Sequence, residues 1–174
     1  YGSWKFVGDA NGTYQEQEYN DENQVIGVQT TDYSYALDGL WVGDMPQTSY
    51  ILGVTLKPIK GLRLQALYKT YDRNFADWSP DSREIEGDAD RTQVWEAPGY
   101  SKLDLHASYN LPSVAGLDLT LTGHIFNALD DVFVQDAVDN SQYNGYGDKL
   151  HLPHNAEVFL GTPRYANIGL TVNF

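Results

Sequence analysis

Cysteine is absent from this 174-residue chain, methionine occurs once, and 11 basic residues stand against 24 acidic ones. The lack of cysteine excludes disulfides and thiolate chemistry, but it does not exclude an oxidising compartment, because large barrels close by hydrogen bonding. A formal net charge of -13 argues against nucleic acid as a partner class, since phosphate binding needs clustered Lys and Arg. No run approaches the ~18 consecutive apolar residues of a membrane helix, so any bilayer crossing must be made by strands. The chain opens at Tyr1 without an initiator Met, a charged n-region or an apolar h-region, as expected of a processed chain or a piece of a longer precursor. No Ser/His/Asp pattern and no phosphate-cradling glycine loop is visible.

What is present is aromatic and glycine-rich, with Tyr 13, Trp 4, Phe 6 and Gly 16. Charge is distributed unevenly. Asp9 to Asp44, Tyr71 to Glu96 and Leu129 to Pro163 hold 22 of the 24 acidic residues and 4 of the 11 basic ones. Between these acidic stretches the sequence alternates with period two. Tyr50, Leu52, Val54 and Leu56 oppose Ser49, Gly53, Thr55 and Lys57; Leu62, Leu64, Ala66 and Tyr68 oppose Arg63, Gln65, Leu67 and Lys69. Leu103, Leu105, Ala107 and Tyr109 oppose Lys102, Asp104, His106 and Ser108, and Leu117 to Ile125 continue the pattern against Asp118 to Phe126. In the last stretch, Ala166, Ile168, Leu170, Val172 and Phe174 fall opposite Tyr165, Asn167, Gly169, Thr171 and Asn173.

Tyr1 to Gly8 reads as the end of a further strand, which gives about six strands of roughly ten residues, the length a tilted strand needs to cross a bilayer. Short turns at Pro58–Gly61 and Leu111–Ala115 alternate with three long acidic loops. Within the first loop, Gly12 to Gln17 and Val25 to Thr31 flank a polar turn and predict a local hairpin standing in water. The expected fold is an all-β, antiparallel up-and-down transmembrane β-barrel segment with long extracellular loops, apolar residues toward lipid and polar ones toward the lumen. Single-chain barrels start at about eight strands, so residues 1–174 should form one part of a larger wall.

Beyond an end signal shared by outer-membrane barrels, four stretches resemble one family, the TonB-dependent outer-membrane transporters. Asn167-Ile168-Gly169-Leu170-Thr171-Val172-Asn173-Phe174 is similar to the C-terminal assembly signal of Gram-negative outer-membrane barrels, with Asn167, Gly169, Val172 and Phe174 at the marked positions. The run Gly123 to Ala137, with His124-Ile125-Phe126-Asn127 followed by Asp130-Asp131 and Phe133, resembles the family's penultimate strand, and Gly161-Thr162-Pro163-Arg164-Tyr165 resembles the entry into its last strand. Gly43-Asp44-Met45-Pro46-Gln47 and Tyr71-Asp72-Arg73-Asn74-Phe75-Ala76-Asp77 resemble loop and strand-top segments of the same region.

The resemblance implies the carboxy-terminal part of a barrel of about 22 strands closed around a plug. It implies active uptake of a scarce nutrient, such as a siderophore, metal complex, glycan or peptide, and no enzyme activity. Implied partners are outer-membrane lipid, the remainder of the barrel and its plug, the TonB complex acting through the plug, the barrel-assembly machinery and a surface lipoprotein. Plug and remaining strands are absent from this sequence.

Two other classes stay open: a soluble β-sandwich carbohydrate-binding or adhesin module, and an outer-membrane barrel built from several copies of this chain. Tyr143, Tyr146, Trp78 and Trp95 lie in the loops, where aromatics can grip a ligand; a membrane-interface girdle is the competing role for Trp78 and Trp95. Asp136, Asp139, Asn140 and Asp148 carry oxygens suited to Ca2+, but their spacing matches no EF-hand and turn residues explain them equally well. His151, His154 and Glu157 surround a proline and lack the helical i, i+4 face of a zinc motif. His106 and His124 belong to the lumen-facing set, as polar wall residues or proton sensors.

Overall fold

The computed structural model describes residues 1–83, 91–113, 116–141 and 150–173. Its elements are β1 (Ala10–Tyr19), β2 (Val25–Tyr35), β3 (Pro46–Leu56), β4 (Leu62–Phe75), β5 (Glu96–Ala97), β6 (Tyr100–Asn110), β7 (Asp118–Phe126), β8 (Val134–Asp139), β9 (Ala156–Leu160) and β10 (Tyr165–Asn173). Two short 3-10 turns, Pro80–Arg83 and Pro153–Asn155, complete them. Every sheet is antiparallel, and the chain is all-β. Among the described residues no helix is long and apolar enough to cross a membrane.

The principal sheet has the order β10-β7-β6-β4-β3, with β5 pairing onto the end of β4. It is an open sheet and does not close into a barrel. Its sixth strand is the two-residue β5 and not the expected Tyr1–Gly8, which contributes only an isolated bridge from Lys5 to Trp41. With Gly2, Gly8, a charged Lys5 and only short apolar runs, that segment cannot sustain a period-two face. It folds instead onto the loop connections.

Register carries the binary pattern across the sheet. Val54, Ala66, Leu105, Ile125 and Ala166 stand side by side in one row, and the next row is Thr55, Gln65, His106, His124 and Asn167. Successive residues face opposite sides of a strand, so one face is continuously apolar and the other predominantly polar. Nothing in the described chain covers the apolar face. Leu52 is 68% exposed and Ile168 83%. Leu103, Leu105, Leu119 and Leu121, which would fill the interior of a sandwich, are all outside the buried class.

The buried core lies at one end of the sheet, where the long connections meet. Leu37, Leu40, Phe75, Ala76, Trp78, Val94 and Ala137 form it, with Phe6, Tyr35, Trp41 and Trp95 packed around them. Trp41 stacks on Phe75 with centroids 5.4 Å apart, and Phe6 meets Trp78 edge-on at 5.4 Å. Each fully buried Leu or Phe here contributes about 1.5–3 kcal/mol. Of these seven residues Phe75 alone comes from the principal sheet, at the top of β4, where the buried Ala97 of β5 pairs with its neighbour Asn74.

β1 and β2 form the anticipated hairpin, turned by Asn20, whose Oδ1 accepts the N–H groups of Glu22 (3.0 Å) and Gln24 (2.8 Å). The third acidic segment is not loop throughout: Val134–Asp139 and Ala156–Leu160 pair as β8 and β9. Asp77 and Val138 add a parallel bridge that ties this hairpin to the second connection.

Candidate functional site

The sequence segments around Asn127 and Arg164, 37 positions apart by number, meet at the top of β7 and β10. Phe126 pairs with Tyr165 in the register and stacks on it at 4.7 Å. Asn127, at φ 47, leaves the strand there and turns its polar groups inward. Its N–H donates to Asp104 Oδ1 (3.0 Å), and its side-chain amide donates to the carbonyls of Asp131 (2.9 Å) and Thr162 (3.3 Å). Asp104, 2% exposed, also accepts from Lys69 Nζ at 2.7 Å. Arg164 completes the junction, donating its backbone N–H to Asp130 Oδ1 at 3.0 Å. These charges are satisfied by each other, so the junction holds strands together and offers no free nucleophile or base. One sequence signal marks it: Asp104 is one of only two acids outside the acidic loops.

Below this junction, on the polar face, His106 and His124 are direct cross-strand neighbours. Their Nδ1 atoms are 2.9 Å apart and their rings cross at 61°. Phe126 borders both, at 5.5 Å and 6.1 Å between centroids. Arg63, Gln65 and Ser108 join them around a depression of about 370 Å³. Sequence alternation placed both histidines on this face but could not show that they touch.

At the loop end, Trp78 is buried, donating Nε1–H to the Trp41 carbonyl at 3.3 Å, and Trp95 packs partly buried against the same core. Both tryptophans pack among the loop connections. Tyr143, Tyr146 and Asp148 lie outside the described residues, as does Phe174. Asn167 and Val172 are exposed on opposite faces of β10. Gly169 sits where a Cβ would come within 2.8 Å of Thr122 Oγ1, whose hydroxyl donates to the Gly169 carbonyl at 3.3 Å.

Asp139 is buried and accepts hydrogen bonds from Ser141 Oγ and from the ring of His151, both at 2.5 Å. Serine here donates to the carboxylate and not to the imidazole, so the trio lacks the nucleophile-to-base contact that acyl transfer requires. Burial raises the Asp139 carboxyl, yet the bonds from His151 and Ser141 outweigh it and hold the group below the usual carboxylate range. Asp136 turns its Oδ1 to the N–H of Ala137, and Asn140 reaches Glu157 at 3.5 Å. Among the described residues no group of three or more His, Asp or Glu converges as a metal site.

Two further carboxyls diverge. A two-pronged bond from Arg91, at 2.6 and 2.7 Å, with N–H groups of Asp38 and Leu37, holds Asp9 far below the usual range. Asp44 is raised by desolvation and by the nearby Asp136 and Asp77. Comparison with protein-family models, with curated proteins and with solved structures returns no match.

Proposed function

We propose that this chain is the carboxy-terminal wall segment of an outer-membrane TonB-dependent transporter, supplying strands and outer loops to a barrel that takes up a scarce nutrient and carries out no covalent chemistry. The observation that carries this reading is the uncovered apolar face running across all five long strands, beside a protein-type core confined to one end. A soluble sandwich would bury that face against a second sheet. Hydrocarbon is the solvent that suits it.

Support also comes from the connections. The short links β3–β4 and β6–β7 join strands at one end of the sheet, and the longer acidic connections leave it from the other. That polarity suits short periplasmic turns and long extracellular loops. The outer edges of β3 and β10 have no partner strand among the described residues. In lipid each unsatisfied backbone group would cost several kcal/mol, so further protein must complete the wall. The same open edges favour a second reading, in which several copies of this chain close one barrel.

The test is extraction and size. The purified chain should aggregate in detergent-free buffer and become monodisperse when detergent covers the apolar face. A folded, monodisperse monomer in water overturns the membrane reading and selects the soluble module. A closed oligomer in detergent selects the multi-copy barrel over the transporter segment.

A further inference from the structure

We infer that His106 and His124 form a chelating site for a divalent late-transition-metal ion, of the class of Cu2+, Ni2+ or Zn2+, on the polar face of the sheet. The pair is held by the β6–β7 register, which sets the two residues directly opposite each other. Their Nδ1 atoms lie 2.9 Å apart. Two metal–nitrogen bonds of 2.0–2.1 Å at a tetrahedral angle need donor atoms about 3.3 Å apart, so a small ring rotation admits the ion. Imidazole nitrogen is the donor class these cations favour over Ca2+ or Mg2+.

Local surroundings fit an open site with two protein ligands. Phe126 flanks both rings and restrains them. Gln65 and Asn167 flank the pair in the same row, next to His106 and His124 respectively. The depression beside the pair leaves room for water in the remaining coordination positions. Asp104, the nearest acid on β6, is already engaged by Lys69 and by the Asn127 N–H, so it does not compete for the ion. In the metal-free pair one ring donates its Nδ1–H to the other. On binding, that proton moves to Nε2 of the same ring, both Nδ1 lone pairs face the metal, and no net proton is lost. This inference rests on the β6–β7 register and not on the transporter reading.

The test is titration of the full chain with Cu2+ and Zn2+, in detergent or, should the chain prove soluble, in water. One equivalent should bind, and bound Cu2+ should show coupling to two imidazole nitrogens in its paramagnetic resonance spectrum. His106→Gln and His124→Gln should each weaken binding about 100-fold, because loss of one arm abolishes the chelate. His154→Gln should leave affinity unchanged. Should the wild-type chain show no stoichiometric site, or two-nitrogen coupling persist in His124→Gln, the site is refuted. For a variant that fails to fold, the two-nitrogen signature of the wild-type protein decides alone.

Discussion

The Phe133 ring lies so close over Gly161 that a Cβ built there would fall 2.0 Å from Cε2 and 2.1 Å from Cζ. The Gly161 N–H also donates to the Phe133 carbonyl at 2.9 Å, so the two backbones cannot separate freely. Phe133 in turn stacks on Tyr100 at 4.2 Å. Gly161→Ala should destabilise the loop end by about 1–3 kcal/mol through overpacking. Denaturant unfolding followed by tryptophan emission measures this, since Trp41, Trp78 and Trp95 all pack in that core. Adding Phe133→Leu should recover part of the loss, and strictly additive effects would dismiss the contact.

Asp104→Ala should cost about 2 kcal/mol or more, because it strands the Lys69 ammonium and leaves the Asn127 N–H without its acceptor. Lys69→Met in the same background should restore part of the stability by removing the stranded charge. A double-mutant cycle on the unfolding midpoint reads the coupling, and a zero coupling energy would show that the 2.7 Å pair holds nothing together.

Acid should loosen the loop end through Asp139. Its folded carboxyl is held below the usual range, so its contribution is present above that range and is lost as pH falls through the folded value. Asp139→Asn should lower stability at neutral pH and flatten the acid limb of the curve. Asp44 acts with the opposite sign. Desolvation, Asp136 and Asp77 raise it, so its cost grows as pH rises out of the carboxylate range, and Asp44→Asn should raise stability at neutral pH. Unfolding midpoints across pH 3–7, read by tryptophan emission, would show either slope missing if the assignment is wrong.

Adjacent residues on β10 should respond oppositely to charge. On the proposed membrane reading, Ile168→Arg, on the apolar face, should reduce detergent-dependent folding by about 2–4 kcal/mol, the penalty for a cation on a lipid-facing wall. Asn167→Arg, one position earlier on the polar face, should be tolerated. Equal tolerance at both positions, scored by the fraction of folded chain in micelles, would remove the distinction between the faces.

How much of this was legible in the residues depends on periodicity. The five long strands repeat apolar and polar side chains strictly enough that their spans were readable to within a few residues, and Glu18 to Asn23 announced the β1–β2 turn. β8 and β9 were not readable, because Val134–Asp139 mixes acids with small apolar residues and its partner begins 22 positions after it starts. Nor was the loop-end core. Phe6, the Leu40-Trp41 pair and Trp78 lie apart in polar connections and Phe75 ends β4, and only tertiary contact brings them together. The His106–His124 contact likewise needed the register between two strands, which no alternation pattern within either strand specifies.

Leu40 and Leu52 are the same side chain twelve positions apart, one 3% and the other 68% exposed. A chain built this way defeats averages: its mean hydropathy of -0.46 is the value of an ordinary water-soluble protein, because the acidic residues of the connections numerically cancel the apolar face of the sheet. Any screen that sorts sequences by that single figure would file this one among cytosol-like proteins, and would do so because of where its acids sit rather than because its leucines are hidden.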